Sequence, residues 1–245
     1  MQVNALITAG GIGSRMGLNI PKQFYKVNNL PIIAYTIQKF NSHPLIDSIY
    51  VVCLEEYIDY MTDIVSDNNF TKVKGIIPGG ENNQQSIFNG LCAISGTDSD
   101  IILIHDGNRP LVPSEVITDC IDTVISKGNA VAQIPCTESL LIVDELGDGS
   151  SDSFPREKIK RTQTPHGFYL GEIKKVHEIA NSLGIQNTIA SCNLYQAISK
   201  KIYFSRGDSI NFKLTTQDDL KLFEIISNGL QKKLNHEQST PRIQV

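Results

Sequence analysis

The sequence predicts an α/β fold: a mostly parallel central sheet with helices on both faces and one protruding β-hairpin arm. Three observations carry this expectation. Short β-branched runs alternate with amphipathic stretches, the order in which a parallel sheet is wrapped by helices. Asp100–Ile104 is almost continuously apolar, as a central strand covered on both faces must be. An acidic, Gly/Ser-rich tip from Gly147 to Ser153 separates two strand-like pieces, Leu140–Val143 and Lys158–Arg161, which reads as an arm over about 138–160.

Taken in order, Val3–Thr8 reads as a buried strand, followed by a glycine-rich loop and a helix around Ile32–Phe40. Ser48–Leu54 is a second strand and Glu55–Ser66 a helix. Lys72–Ile77 is a third strand, closed by Pro78-Gly79-Gly80, and Gln84–Ile94 has helical spacing with Ile87, Leu91 and Ile94 on one face. Ser114–Ser126 is helical, with Pro113 just ahead of it. After the arm, helices are expected at Leu170–Leu183 and Ser191–Ser199, and strands at Lys201–Ser205 and Asn211–Leu214. The last helix starts at Thr216, with Asp219 in its first turn, where a carboxylate suits the helix dipole. Residues 1–230 read as one domain and 231–245 as a polar tail.

Bulk properties narrow the function. The 245 residues carry 40% hydrophobic and 20% charged side chains, which is ordinary for a soluble globular protein. A net charge of −4 argues against general nucleic-acid binding, so an anionic ligand has to be caught by local basic residues. The five cysteines are scattered without metal-ligand spacing, which speaks against a disulfide framework or a zinc site. No apolar run approaches the roughly 20 residues that cross a bilayer, and the N-terminus has no signal-peptide pattern. The expected location is the cytoplasm, without membrane insertion.

Ligands of open parallel sheets bind beyond the carboxyl ends of the strands, and four segments fall there. Ala9-Gly10-Gly11-Ile12-Gly13-Ser14-Arg15 with Pro21-Lys22 lets backbone N–H groups close on phosphate oxygens, with Arg15 and Lys22 adding positive charge. It is not a Walker loop, because no Gly-Lys-Ser/Thr follows. It also fails as a dinucleotide fingerprint, because Met16 stands where the third glycine belongs. His105-Asp106-Gly107-Asn108-Arg109-Pro110 ends the apolar strand, and Asp106 there suits Mg²⁺ held against a triphosphate. A structural role is open to Arg109, bonding carbonyls or Asp106, and His105 reads as a core histidine. Gly79-Gly80-Glu81 with Ser86 offers backbone to a base or ribose. Lys213 precedes a helix N-terminus, where it can face phosphates or simply be exposed.

Together these segments resemble a known family. AGGIGSRMG…PKQF, GG…S…NGL, HD..RP, TQTP.GF and N.K.TT.DDL are similar, in this order, to CTP-dependent cytidylyltransferases that act on sugar-alcohol phosphates such as ribitol 5-phosphate or 2-C-methyl-D-erythritol 4-phosphate. The resemblance runs from Ala5 to about Leu222. It implies a Rossmann-like nucleotide-diphospho-sugar transferase fold, CTP and a small phosphorylated polyol as substrates, and Mg²⁺ held with the help of Asp106. It also implies a homodimer clasped through the arm. By the same resemblance Arg15, Lys22 and Lys213 are catalytic. Ala9, Gly10, Gly11, Gly13, Gly80, Glu81, Ser86 and Asp106 bind the nucleotide, while Arg156, Ser139 and Lys213 bind the acceptor. The chain departs from the family pattern at Asn83, where an arginine is usual, at Gly107-Asn108, at His166 and at Ser139. The acid usual in Thr188-Ile189-Ala190-Ser191 is missing. These departures gather on the acceptor side.

The expected reaction needs no general base, since a phosphate monoester with a second pKa of about 6 is already a dianion near neutrality. Catalysis then rests on positioning and charge neutralisation. Ribitol 5-phosphate is the expected acceptor, because the AGGIGSRMG spelling resembles ribitol-phosphate enzymes. The alternatives are 2-C-methyl-D-erythritol 4-phosphate, a hexose-phosphate nucleotidylyltransferase and a catalytically silent nucleotide-binding scaffold.

Overall fold

The computed structural model describes residues 1–11 and 20–239, with the backbone alone for 230–239. Strand β1 (Val3–Ala9) leads, past a 3-10 turn at Lys22–Phe24, to a two-stranded ribbon of β2 (Lys26–Val27) and β3 (Leu30–Pro31) and to α1 (Ile32–Asn41). Strand–helix alternation follows: β4 (Ser48–Cys53), α2 (Ile58–Asp67), β5 (Val73–Pro78), α3 (Asn83–Ala93), β6 (Ile101–Asp106) and α4 (Ser114–Lys127). The second half holds β7 (Asn129–Pro135), β8 (Leu141–Ile142), β9 (Asp152–Ser153), β10 (Lys160–Tyr169), α5 (Leu170–Ser182), α6 (Ser191–Ala197), β11 (Phe204–Arg206) and α7 (Gln217–Ser239).

Seven strands form one sheet in the order β11-β7-β10-β6-β1-β4-β5. All neighbours are parallel except β10, which runs antiparallel to both β6 and β7. Strands β1, β4 and β6 are mostly apolar because both sheet faces are covered there. Along β6, Ile101 and Leu103 pack into a core with α1 and α4, including Ile33, Ile37, Val116 and Ile117. Ile102 and Ile104 point the other way, onto Ile87 and Leu91 of α3 and Ile173 and Val176 of α5. Helix α4 stops at Gly128, whose φ of +91° is a left-handed conformation that glycine adopts without a Cβ penalty.

Two expectations change. Lys158–Arg161 is not the returning strand of the hairpin. Instead β8 pairs with β9 in the register Leu141↔Ser153, and Lys160–Thr162 pairs with Gln133–Pro135 in the main sheet. β10 then continues through Pro165 and Gly167, residues that hid it from a strand reading. Proline lacks a ladder donor, and the register shifts between Thr162 and His166 to accommodate it.

Asn211–Leu214 is not a strand. The segment is irregular and is held by side-chain hydrogen bonds described below. Helix α7 runs on to Ser239 through the polar residues that follow 231. Among the described residues no helix is long and apolar enough to cross a membrane.

Candidate active site

From β1 the chain moves to β4 and β5 on one side and returns to β6 on the other. Their carboxyl ends therefore diverge at a topological switch point, where open α/β sheets bind ligands. The register pairs Thr8 with Asp106 there. Gly107 lets the strand end close onto β1: its N–H donates to the Thr8 carbonyl over 2.9 Å. A Cβ at that position would lie 2.9 Å from the same oxygen.

A cleft of about 280 Å³ opens at this point. It brings together Ala9, Gly10, Gly11, Lys22, Gly80, Glu81, Ser86, Asp106 and Lys213. Its floor is tied down locally. The buried Gln23 donates through Nε2 to the Ala9 carbonyl. Ser86 Oγ accepts from Gly80 N–H at 2.9 Å and donates to the Asn82 carbonyl at 2.8 Å. Asn82 Oδ1 caps α3 by accepting from Gln85 N–H at 2.9 Å, the ordinary way for an asparagine to satisfy an orphan helix donor. Gly13 and Arg15 lie outside the described residues.

A second cleft of about 220 Å³ adjoins the first. Thr8, Asn83, Asp106 and Lys213 stand in both walls, while His166, Gln163 and Ile189–Ser191 line the second alone. The departures Asn83, His166 and Ser191 thus meet in one place. Asn83 Nδ2 donates to the Ile189 carbonyl at 3.2 Å. Ser191 Oγ is buried without a partner among the described residues.

Asp106 joins the two clefts. Its Oδ2 accepts from Arg109 Nε at 2.9 Å and its Oδ1 from Lys213 Nζ at 3.1 Å. Burial opposes ionisation of this carboxyl, but the Lys213 and Arg109 charges outweigh it and hold its pKa well below the usual carboxylate range. His105 is a satisfied core residue: its Nδ1 faces Thr164 Oγ1 at 3.1 Å and its Nε2 faces the Arg109 carbonyl at 3.2 Å. Burial pushes its pKa down to about 3. Burial likewise lowers His166 to about 4, so both rings are neutral at pH 7.

Lys213 is delivered by a network rather than a strand. Asn108 Nδ2 donates to the Leu214 carbonyl at 2.7 Å, and Leu214 N–H donates back to the Asn108 carbonyl at 2.9 Å. Arg109 Nη1 donates to the Asn211 carbonyl at 2.7 Å, and Asn211 Nδ2 to that of Thr164 at 2.8 Å. Sequence reasoning missed Asn108, Asn211 and Gln23 as positioning residues. The only available signal was their place inside motifs already singled out for other residues.

Arg156 and Ser139 line neither cleft of this chain. Both are exposed, Arg156 in a 3-10 turn at Arg156–Lys158. Among the described residues no group of three or more His, Cys, Asp or Glu is arranged to hold a metal ion.

A glycine-lined cleft at a switch point, faced by lysines and an ionised carboxylate, suits transfer of a nucleotide. Comparison with known proteins makes the class explicit: the chain is a nucleotidyltransferase of the cytidylyltransferase kind. It belongs to the family described as IspD, 2-C-methyl-D-erythritol 4-phosphate cytidylyltransferase, whose model matches residues 3–228. It is 40% identical over 225 residues to a ribitol-5-phosphate cytidylyltransferase of Vibrio parahaemolyticus, covering 91% of this chain and 94% of that one. A 2-C-methyl-D-erythritol 4-phosphate cytidylyltransferase of Geotalea uraniireducens is 36% identical over 240 residues, covering 97% and 100%. The fold matches the crystal structure of 4-diphosphocytidyl-2C-methyl-D-erythritol synthase from Anaerococcus prevotii with a TM-score of 0.78 at 22% identity, over 94% of this chain and 98% of that one.

Proposed function

We propose that the chain transfers the CMP moiety of CTP to ribitol 5-phosphate in the cytoplasm, yielding CDP-ribitol and pyrophosphate. The observation that carries this reading is the Asp106–Lys213 ion pair at the junction of the two clefts. The larger cleft is the nucleotide half. The smaller is the acceptor half, and Lys213 stands where the α-phosphate and the acceptor phosphate meet. The acceptor's phosphate oxygen attacks the α-phosphorus, the bond to the bridging oxygen breaks, and pyrophosphate leaves with the electron pair. Lys22, Arg15 and Lys213 offset the gathering negative charge, and the backbone of Ala9–Gly11 and Gly80 orients the nucleotide.

Asp106 fits a Mg²⁺ ion, being an ionised carboxylate in the wall of the nucleotide cleft. Magnesium typically takes one or two carboxylates and completes its shell with phosphate oxygens and water. Bound there, it would neutralise charge on the triphosphate.

Ribitol 5-phosphate is favoured by the relative at 40% identity and by the acceptor half itself. Asn83, the neutral His166 and the unpartnered Ser191 hydroxyl suit a chain of hydroxyl groups.

The arm belongs to a homodimer on this reading, with Arg156 and Ser139 serving the acceptor phosphate in the site of a second copy. It carries exposed Leu141, Val143, Leu146 and Phe154, apolar side chains that a second copy would cover. Arg156→Ala should raise the acceptor's KM several-fold and leave that for CTP alone; the reverse pattern removes the arm from the site. The direct experiment incubates the protein with CTP, Mg²⁺ and either ribitol 5-phosphate or 2-C-methyl-D-erythritol 4-phosphate, following pyrophosphate. Release with the first alone is expected. Faster release with the second overturns the acceptor assignment, and none across an acceptor panel favours a silent nucleotide-binding protein.

A further inference from the structure

A third cavity, of about 410 Å³, lies on the outer side of the loop that leads into α3. It is larger than either cleft of the active site, and the reaction described above makes no use of it. Its walls come from the start of α3, from α5 and from the loop after α5. Six carboxamides line it: Asn82, Gln84, Gln85, Asn89, Asn181 and Gln186. Among the described residues Glu81 is its one charged lining residue, with no lysine or arginine in the walls.

His177 marks it as more than a groove. The residue is 1% exposed, yet neither ring nitrogen has a partner among the described residues. Buried polar groups left without hydrogen bonds are exceptional and costly. The ring stacks on Phe88, with centroids 5.4 Å apart and planes 13° from parallel. Burial pushes its pKa down to about 4, so the ring is neutral at pH 7 and offers one donor and one acceptor.

The lining selects a ligand class. Carboxamides such as those of Asn181 and Gln186, with the neutral imidazole, both donate and accept, as hydroxyl groups do. Phe88 adds an apolar surface for carbon-bound hydrogens. An anion finds no cation here and meets Glu81. We propose that this cavity is a second binding site, for an uncharged, hydroxyl-rich small molecule of the sugar or polyol class.

Occupancy at this position reaches the active site. Glu81 and Asn82 line both this cavity and the nucleotide cleft. Gln84 holds the loop that runs to Ser191: its Nε2 donates to the Ile185 carbonyl at 2.8 Å and its Oε1 accepts from Thr188 N–H at 3.2 Å and Oγ1 at 3.1 Å. A bound polyol therefore shifts the KM for CTP.

The test titrates the full chain with free ribitol and, separately, with glucose at millimolar concentration, following the ¹H–¹³C signals of the His177 ring. A saturable shift with at least one probe is expected. Gln186→Ala, at the exposed rim, should weaken that binding by roughly tenfold, the worth of one or two net hydrogen bonds, while basal pyrophosphate release stays unchanged. His177→Phe keeps the stacked ring and removes both nitrogens, so it should abolish binding, read by ligand-observed saturation transfer. If neither probe moves the His177 signals, or if the shift is undiminished in Gln186→Ala, the site is refuted. Because the readout is binding at His177, this result is separable from the identity of the phosphorylated acceptor.

Discussion

The cleft proposed for the nucleotide is made largely from backbone at the ends of β1, β5 and β6, whereas the one proposed for the acceptor is made from side chains carried in by loops and by β10. Backbone at strand ends is fixed by the sheet itself, so its position follows from register. The acceptor wall depends on particular long-range bonds: Asn83 to Ile189, Thr164 to His105, Asn211 to Thr164. The first half can hold a common nucleotide while the second is rewritten for a different acceptor. Of the departures, His166 and Ser191 fall in the second alone, Asn83 stands in both walls and Asn108 lines the first.

The sharpest way to break this contrast is at the nucleotide half. Lys22→Ala or Arg15→Ala should cost on the order of 100-fold in turnover, as loss of one charge-stabilising donor commonly does, with an unchanged thermal midpoint. Turnover near that of the parent would end their assignment as catalytic.

A smaller effect is expected at the hinge between the halves. Asn108→Ala removes the donor to the Leu214 carbonyl, a loss of about 1–3 kcal/mol for a buried acceptor left unpaired. Lys213 then loses its fixed position, so kcat should fall by roughly tenfold, as a single transition-state contact is weakened, with little change in the KM for CTP. A drop in stability with unaltered kcat would make Asn108 a purely structural residue.

The gentlest probe is pH. His105 and His166 stay neutral in the fold with pKa values of about 3 and 4, whereas the unfolded chain takes up protons below about 6.5. Their folded values are lowered, so stability is full above that pH and declines as pH falls from there towards 4. The slope is about 1.4 kcal/mol per pH unit for each such histidine. Urea midpoints across that window should show the decline, and His166→Gln should flatten it by one proton's worth. Identical slopes in the two proteins would mean that His166 is charged in the fold.

The same contrast explains what was legible in the sequence. The strand–helix alternation through α4, the glycine loops and Asp106 could be read because each is a local pattern. Burial on both faces makes β6 apolar, and a phosphate cradle needs glycine directly after a strand. β10 was obscured because Pro165 and Gly167 violate local strand preference, and only its place between β6 and β7 overrides that. Asn211–Leu214 looked like a strand from its alternation, yet its hydrogen bonds go to Asn108, Arg109 and Thr164, residues far away in the chain. The pairing of Asp106 with Lys213 across 107 positions leaves no trace in any window of sequence.

That pairing also sets how Lys213 is held before any ligand binds. A lysine side chain loses substantial rotamer freedom when it is immobilised, and here the Asp106 carboxylate already restrains Lys213 during folding. On the proposed reading, an arriving phosphate meets an ammonium group already held in place by a carboxylate. Binding becomes an exchange of one anionic partner for another, and the carboxylate that gives up the lysine keeps Arg109.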